Sequence, residues 1–149
     1  MSAYLDTSVH LPTLIVEPST EAVYDYLSAI NQELLVSDLA AAEVASALSR
    51  LVRMGRLTGA DAAARLTDFD AWRAAMSLPV DIRAADARLA YIYVQRFDLA
   101  LRAPDALHLA IARRLDVSLV TLDRRMAAAA RELGIAVEMP EASRAEREQ

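Results

Sequence analysis

The chain of 149 residues contains no cysteine and no lysine. The first absence rules out a disulfide framework, a thiol nucleophile and cysteine-ligated zinc. The second rules out phosphate-binding loops that need their lysine, Schiff-base chemistry and lysine-dependent aspartyl-phosphate sites. Glycine is nearly as scarce. Gly55, Gly59 and Gly134 are the whole supply, and neither a dinucleotide-binding fingerprint nor a nucleophile elbow can be written with them. No apolar run approaches the length of a membrane span, and the start lacks the basic and hydrophobic regions of a signal peptide. A soluble, cytoplasmic protein with no membrane partner is expected. The length suits one domain that buries most of its apolar surface without staples. We expect that domain to span 1–140, with 141–149 as a charged, disordered tail.

What is present is organised around one stretch. Ala103 to Leu115 reads as a helix, Ser118 to Leu122 as a buried strand, and an acid stands near each end of the unit, Asp105 and Asp123. Pro104 suits the first helical position, and Asp105 then lies in the first turn, facing the positive end of the helix dipole. Leu107, Ile111 and Leu115 recur every four residues and predict the inward face. Asp123 follows the carboxyl end of its strand, where open α/β sheets place their binding crevice.

The rest of the chain alternates in the same way. Ala3-Tyr4-Leu5 is a short apolar run ending on Asp6-Thr7-Ser8. A short helix over Val9–Val16, broken around Pro12, and a helix from Ser19 to about Asn31 come next, the latter with Val23, Leu27 and Ile30 inward. Glu33 to Val36 predicts a second strand. An alanine-rich helix runs from Leu39 to Arg56 with Val44, Leu48, Leu51 and Val52 as its stripe, and Glu43 beside it. Thr58 with Asp61 resembles a capping box and opens a helix to about Met76. Leu78–Ile82 predicts an edge strand because of Pro79. A helix over Arg83–Phe97 precedes the central unit; a helix over Arg124–Leu133, stopped by Gly134, and a last strand over Ile135–Glu138 follow it. Strands alternating with helices give the fold class: α/β, a parallel sheet of about five strands flanked by helices.

In such a sheet Asp6 and Asp123, both following strands, reach the same edge, and so do Glu43 and Asp105 near the starts of helices. Four carboxylates from distant positions then converge on one crevice. Alone, such a cluster is unfavourable, because each charge raises the pKa of the others. A divalent cation reverses that, and hard cations such as Mg2+ prefer oxygen ligands. A metal-bound water opposite a stabilised leaving oxygen hydrolyses phosphodiesters. Three of the acids also have a plainer role: Asp123 as a helix cap, Asp105 as a dipole-complementing acid, Glu43 on a solvated flank. Asp6 has the least claim to one, since an acid between a buried strand and two hydroxyls needs a partner.

These motifs resemble a known family. Tyr4-Leu5-Asp6-Thr7-Ser8, Ala42-Glu43-Val44, Pro104-Asp105-Ala106-Leu107-His108-Leu109-Ala110 and Leu119-Val120-Thr121-Leu122-Asp123 are similar to those of PIN domains, and their order and spacing to VapC-type toxins of bacterial toxin–antitoxin pairs. The resemblance runs from about Ala3 to Val137. It implies a Mg2+- or Mn2+-dependent endoribonuclease with RNA as substrate, dimeric, held silent by a cognate antitoxin that enters the acidic crevice. Carried over by position, Asp6, Glu43, Asp105 and Asp123 are the catalytic acids, with Asp6, Asp105 and Asp123 on the metal. Thr7 or Ser8, and Thr121, are hydroxyls orienting carboxylates or waters.

The formal charge of −5 does not exclude an RNA partner. Setting aside the four acids leaves −1, and the stretch 141–149 holds three Glu and two Arg, so the remaining surface is neutral. Arg102, Arg124 and Arg125 flank the crevice and are the RNA-contact candidates, because arginine grips phosphate bidentately. Arg50, Arg53 and Arg56 follow at one-turn spacing and read first as a solvated face with favourable dipole placement, phosphate contact being the alternative. His108 reads as a packed histidine with a backbone partner, and Asp38 as a helix cap. Tyr91 and Tyr93 read as core or dimer contacts. Two rivals remain. A phosphotransferase with Asp6 as nucleophile lacks its second acid and its lysine. A non-catalytic module would use the same crevice to bind a cation, RNA or a partner peptide.

Overall fold

Tyr4, at the centre of the first apolar run, has no exposed surface, and neither do Ala3 and Leu5. A strand this short is buried completely only if it is paired on both edges and covered on both faces. The computed structural model, which describes residues 1–141, places it that way. β1 (Ser2–Leu5) is the middle of five parallel strands, β2 (Glu33–Ser37), β3 (Ser77–Val80), β4 (Ser118–Val120) and β5 (Val137–Glu138), in the order β3-β2-β1-β4-β5. Pro79 sits in edge strand β3, where a missing N–H costs least. β4 stops two residues short of the predicted end.

Because side chains alternate along a strand, the two faces of the sheet carry separate cores. Tyr4, Leu35 and Leu119 point to one, closed by helices α5 (Ala84–Val94), α6 (Ala103–Leu115) and α7 (Arg124–Glu132). Ala3, Leu5, Leu34, Val36 and Val120 point to the other, closed by α1 (Thr7–Leu14), α2 (Thr20–Ala29), α3 (Asp38–Arg53) and α4 (Gly59–Met76). No helix among the described residues is long and apolar enough to cross a membrane. The predicted tail, from residue 142 onward, lies outside the described residues.

Several local expectations are corrected. α1 begins at Thr7 and runs unbroken through Pro12 to Leu14; in so short a helix the proline forgoes one bond, that to the Ser8 carbonyl. α3 ends at Arg53 rather than Arg56. Gly55, at φ +72°, turns the chain so that the Arg56 N–H donates back to the Leu51 carbonyl at 2.9 Å, a glycine C-cap. Ser37, not Asp38, caps α3, accepting from the Ala40 N–H at 3.1 Å. In α6, Ala103 takes the first position and Pro104 the second. The predicted stripe of Leu107, Ile111 and Leu115 does pack on the core, Ile111 fully buried and the two leucines partly, but it is not the most buried part of the helix. The buried set is Ala106 and His108 through Ala112, because this helix is enclosed by the sheet and α5 together, and its alanines allow that approach.

Candidate active site

The chain passes from β1 to β2 and β3 on one side of the sheet, then returns to place β4 against the other edge of β1. Strand order therefore reverses between β1 and β4, and the carboxyl ends of those strands border the crevice. Asp6 and Thr121 stand there, each one residue past its strand, and meet: the Thr121 hydroxyl donates to Asp6 Oδ2 at 2.6 Å. Ser8 completes the cradle, its N–H and its hydroxyl donating to Asp6 Oδ1 at 3.0 and 2.5 Å. Asp6 is thus also the N-cap of α1. The side chain is 1 % exposed, and no arginine pairs with it among the described residues. Burial pushes its carboxyl above the usual range, against the opposing pull of the Ser8 and Thr121 hydroxyls and of His108.

Glu43 sits in the second turn of α3 and is held through one oxygen. Oε1 accepts from the Thr7 hydroxyl at 2.9 Å and lies 2.5 Å from His108 Nε2. The other ring nitrogen, Nδ1, is 2.6 Å from the Tyr4 hydroxyl, itself 2.7 Å from Ser37 Oγ. One assignment of hydrogens satisfies every member. The Ala40 N–H donates to Ser37, Ser37 to Tyr4, Tyr4 to Nδ1, and Nε2–H to Glu43. The chain of bonds leaves the start of α3, crosses β1 and α6, and returns to α3 one turn further on. Burial alone would raise the Glu43 carboxyl. The bond and charge of His108, then Thr7 and Arg102, outweigh it and hold the group below the usual carboxylate range.

Asp105 and Asp123 are at the same end but bound locally. Asp105 Oδ2 accepts from the Arg102 N–H at 3.1 Å as the third residue of α6, with the Arg102 guanidinium 3.6 Å away. Asp123 caps α7, accepting from the N–H groups of Arg125 and Met126 at 2.9 and 3.2 Å. Its own N–H donates to Thr121 Oγ1 at 3.0 Å, so Thr121 bridges Asp6 and the Asp123 backbone. The plainer roles of these two acids are thereby met. A donor set made only of oxygens suits a hard divalent cation in kind. Among the described residues, however, no three His, Asp or Glu side chains are grouped closely enough to hold an ion. What the structure brings together directly is Asp6 with Ser8 and Thr121, and Glu43 with Thr7 and His108.

Arg102 borders the groove that opens at Glu43 and Thr7. Arg124 and Arg125 are exposed at the start of α7, Arg125 leaning to the Ala100 carbonyl at 3.5 Å. His108 is a correction: its partners are side chains, not backbone. Tyr4 and Ser37 belong to the polar chain that reaches Glu43, and the sequence did not single them out. A tyrosine inside an otherwise aliphatic strand was the available signal, since a buried hydroxyl needs a partner.

A family model described as PIN domain matches residues 3–132. The chain is 34 % identical over 140 residues to ribonuclease VapC46 of Mycobacterium tuberculosis, covering 92 % of this chain and 96 % of that protein. Among solved structures, VapBC2 of Rickettsia felis, bound to a DNA fragment from its promoter, superposes with a TM-score of 0.72 at 15 % identity, covering 95 % of this chain and all of the other. VapC20 of M. tuberculosis, described as a toxin that cleaves the sarcin–ricin loop, gives 0.68 at 18 % identity, with coverages of 85 % and 94 %. Both structural likenesses are likenesses of fold.

Proposed function

Because the chain belongs to the PIN domain family, we propose that it is an endoribonuclease, the toxin of a toxin–antitoxin pair, that hydrolyses RNA phosphodiester bonds in the cytoplasm. The observation that carries this reading is Asp6: a carboxylate buried at the switch point of the sheet, held at both oxygens by hydroxyls, with no arginine among the described residues to neutralise it. A structural aspartate at that depth would be paired with a cation.

Asp6, Asp105 and Asp123 share one edge of the sheet but are not grouped within reach of one ion in this structure. They would hold a divalent cation, Mg2+ or Mn2+, only by drawing together on it, and it would then supply an acidified water and a stabilised leaving oxygen. The chain's own groups do the positioning. Ser8 and Thr121 fix the plane of the Asp6 carboxylate. Thr7 and His108 both bind Oε1 of Glu43 and leave Oε2 to accept. A carboxyl held below its usual pKa stays ionised, so Glu43 orients an attacking water better than it stores a proton. Arg102, Arg124 and Arg125 contact the RNA backbone.

The relatives named as VapBC assemblies support a cognate antitoxin as partner, entering the same crevice. A homodimer is supported by α5 and the 3₁₀ turn after it (Phe97–Leu99). Phe97, Tyr91 and Ile92 are all exposed, and an apolar groove of about 370 Å3 between α5 and α6 is lined by Ala90, Tyr91, Val94 and Leu107. Single large apolar residues on a surface are ordinary, but an apolar groove open to solvent suits a partner surface.

End-labelled RNA incubated with Mg2+ or Mn2+, and in parallel with EDTA, tests the nuclease reading. Fragments are expected only with metal, and none from the Asp105→Asn protein. Cutting that survives EDTA, or an Asp105→Asn protein that cuts at the parent rate, overturns the site assignment. RNA held without cleavage favours the non-catalytic module.

A further inference from the structure

A groove of about 590 Å3 runs between α1 and α3, and one end of it is formed by Thr7 and Glu43 of the acid cluster. Arg50, Arg53, Arg56 and Arg102 all line it. We infer that this groove is the path of the RNA strand away from the scissile bond, with Arg102 at its entrance and Arg50, Arg53 and Arg56 each binding a backbone phosphate. The inference rests on the nuclease reading above and extends it to three arginines outside the acid cluster.

The plain alternative is that these arginines only complement the negative end of the α3 dipole. That accounts for Arg50 and Arg53, which lie in its last turn, the region where a cation is favoured by roughly 0.3–1 kcal/mol. It does not account for Arg56 or Arg102. Arg56 lies beyond the helix and lines the groove because the Gly55 turn folds its N–H back to Leu51; Arg102 is the N-cap of another helix. None of Arg50, Arg53 and Arg56 forms an ion pair among the described residues. Arg53 instead donates to Ser49 at 2.8 Å. Arg50 and Arg53, one turn apart on α3, repel each other, which offsets part of the dipole gain, and Arg56 and Arg102 add two further like charges to the groove.

The chain carries a formal charge of −5, yet this groove holds four arginines against two acids, Glu17 and Glu43. A strip of positive charge on an acidic protein selects a polyanion, and its continuity with Glu43 and Thr7 places the nucleotides that flank the cleaved bond in it. Arginine suits that task because its planar fork binds phosphate through two parallel bonds.

The test is binding of a fluorescent single-stranded RNA in EDTA over a series of salt concentrations, beside cleavage kinetics with metal. The Arg50→Gln/Arg53→Gln/Arg56→Gln protein should lose roughly 2 from the slope of log K against log salt, about 0.7 for each phosphate contact removed from a single strand. Its KM for RNA should rise while kcat at saturation holds. Arg88→Gln/Arg131→Gln removes charge from exposed positions outside the groove and should leave the slope in place. A triple variant with the parent's slope and KM, from a parent that cuts RNA, overturns the groove and spares the nuclease. A parent that shows the slope but cuts nothing with either metal sinks the nuclease reading and leaves the groove as an RNA surface. If the triple variant keeps its RNA slope but no longer retains polyglutamate that the parent binds, the groove belongs to an acidic protein, and the inference is wrong.

Discussion

Asp6 and Asp86 are equally shielded from solvent, each 1 % exposed, and burial raises the pKa of both, the more so for Asp6, which has more protein packed around it. Their partners then drive them apart. Asp86, in α5, receives Nε and Nη2 of Arg114 at 2.7 and 2.9 Å and the Arg83 N–H at 2.9 Å. That guanidinium outweighs desolvation and holds the carboxyl below its usual range. Asp6 is met by hydroxyls and one N–H, desolvation wins, and its carboxyl rises. Loss of solvent contact alone therefore does not set the two acids apart; the packing around each carboxyl and the presence or absence of a guanidinium do. Asp86 and Arg114 fasten α5 to α6, whereas Asp6 is maintained in a state that costs stability, at the one edge where strand order reverses.

Replacing each acid by its amide breaks the comparison most sharply. Asp6→Asn should lower RNA cleavage on the order of 10³-fold, the scale on which removing a charge-stabilising group from an active site is felt. The same change removes a buried charge, so the urea midpoint of the metal-free protein at pH 7 should hold or rise. An Asp6→Asn protein that unfolds more readily than the parent and still cuts RNA would make Asp6 an ordinary helix cap.

The opposite signature is expected of Arg114→Met. It strands the Asp86 carboxylate in the core, and breaking a buried pair from one side costs about 3–5 kcal/mol. Cleavage measured well below the new melting transition should be unchanged, because neither residue reaches the acid cluster. Replacing both partners together, as Asp86→Leu/Arg114→Met, should recover most of the loss. Additive losses would mean that the two residues are not coupled.

The two aspartates were not equally legible. Asp6 announces itself locally, as an acid between a short apolar strand and two hydroxyl residues, and its site follows once the sheet is known to be parallel. Asp86 looks like any first-turn acid of α5, since its partner lies 28 residues away on another helix. The polar chain through Tyr4, His108 and Glu43 was hidden for the same reason. Its links span 104 and 65 residues, and nothing near His108 shows that both ring nitrogens are bound to side chains. Periodicity was least informative in α6, which is enclosed on most of its circumference, so that Leu107 and Leu115 mark no single inward face. The end of α3 was readable from Gly55, a residue suited to a left-handed cap, but the alanine-rich pattern carried on past it.

His108 sharpens the contrast at the site itself. It touches no reacting group and acts through Glu43, so His108→Ala should lower kcat by roughly 10–100-fold, the usual cost of losing an outer support, with KM unmoved. His108→Gln, whose amide can donate to Glu43 in place of Nε2, should recover part of it. A merely structural histidine would show lost stability in both variants and no recovery of kcat. Equal kcat in parent, Ala and Gln proteins removes His108 from any positioning role.

The smallest effect concerns the other histidine, buried equally at 2 % exposure but without that chain of partners. His10 packs against Phe69 and Trp72 with ring centroids 5.2 and 5.7 Å away, and its Nε2 has no hydrogen-bond partner among the described residues. Burial lowers its pKa from 6.5 to about 3. In the unfolded chain the ring regains a proton near pH 6.5, so between that value and about 3 the unfolded state binds more protons than the folded one. Stability from this group is fully present above pH 6.5 and falls with pH, by up to about 1.4 kcal/mol per unit, until the folded ring also charges. Asp6 opposes the trend, because a raised carboxyl pKa favours the folded state as it protonates, so the parent's profile mixes the two. His10→Phe separates them. Any packing cost of the larger ring is the same at every pH, and the difference between variant and parent isolates the imidazole. That difference should widen in favour of the variant as pH falls from 6.5 to 5; a constant difference would mean that His10 finds a proton acceptor in the folded core.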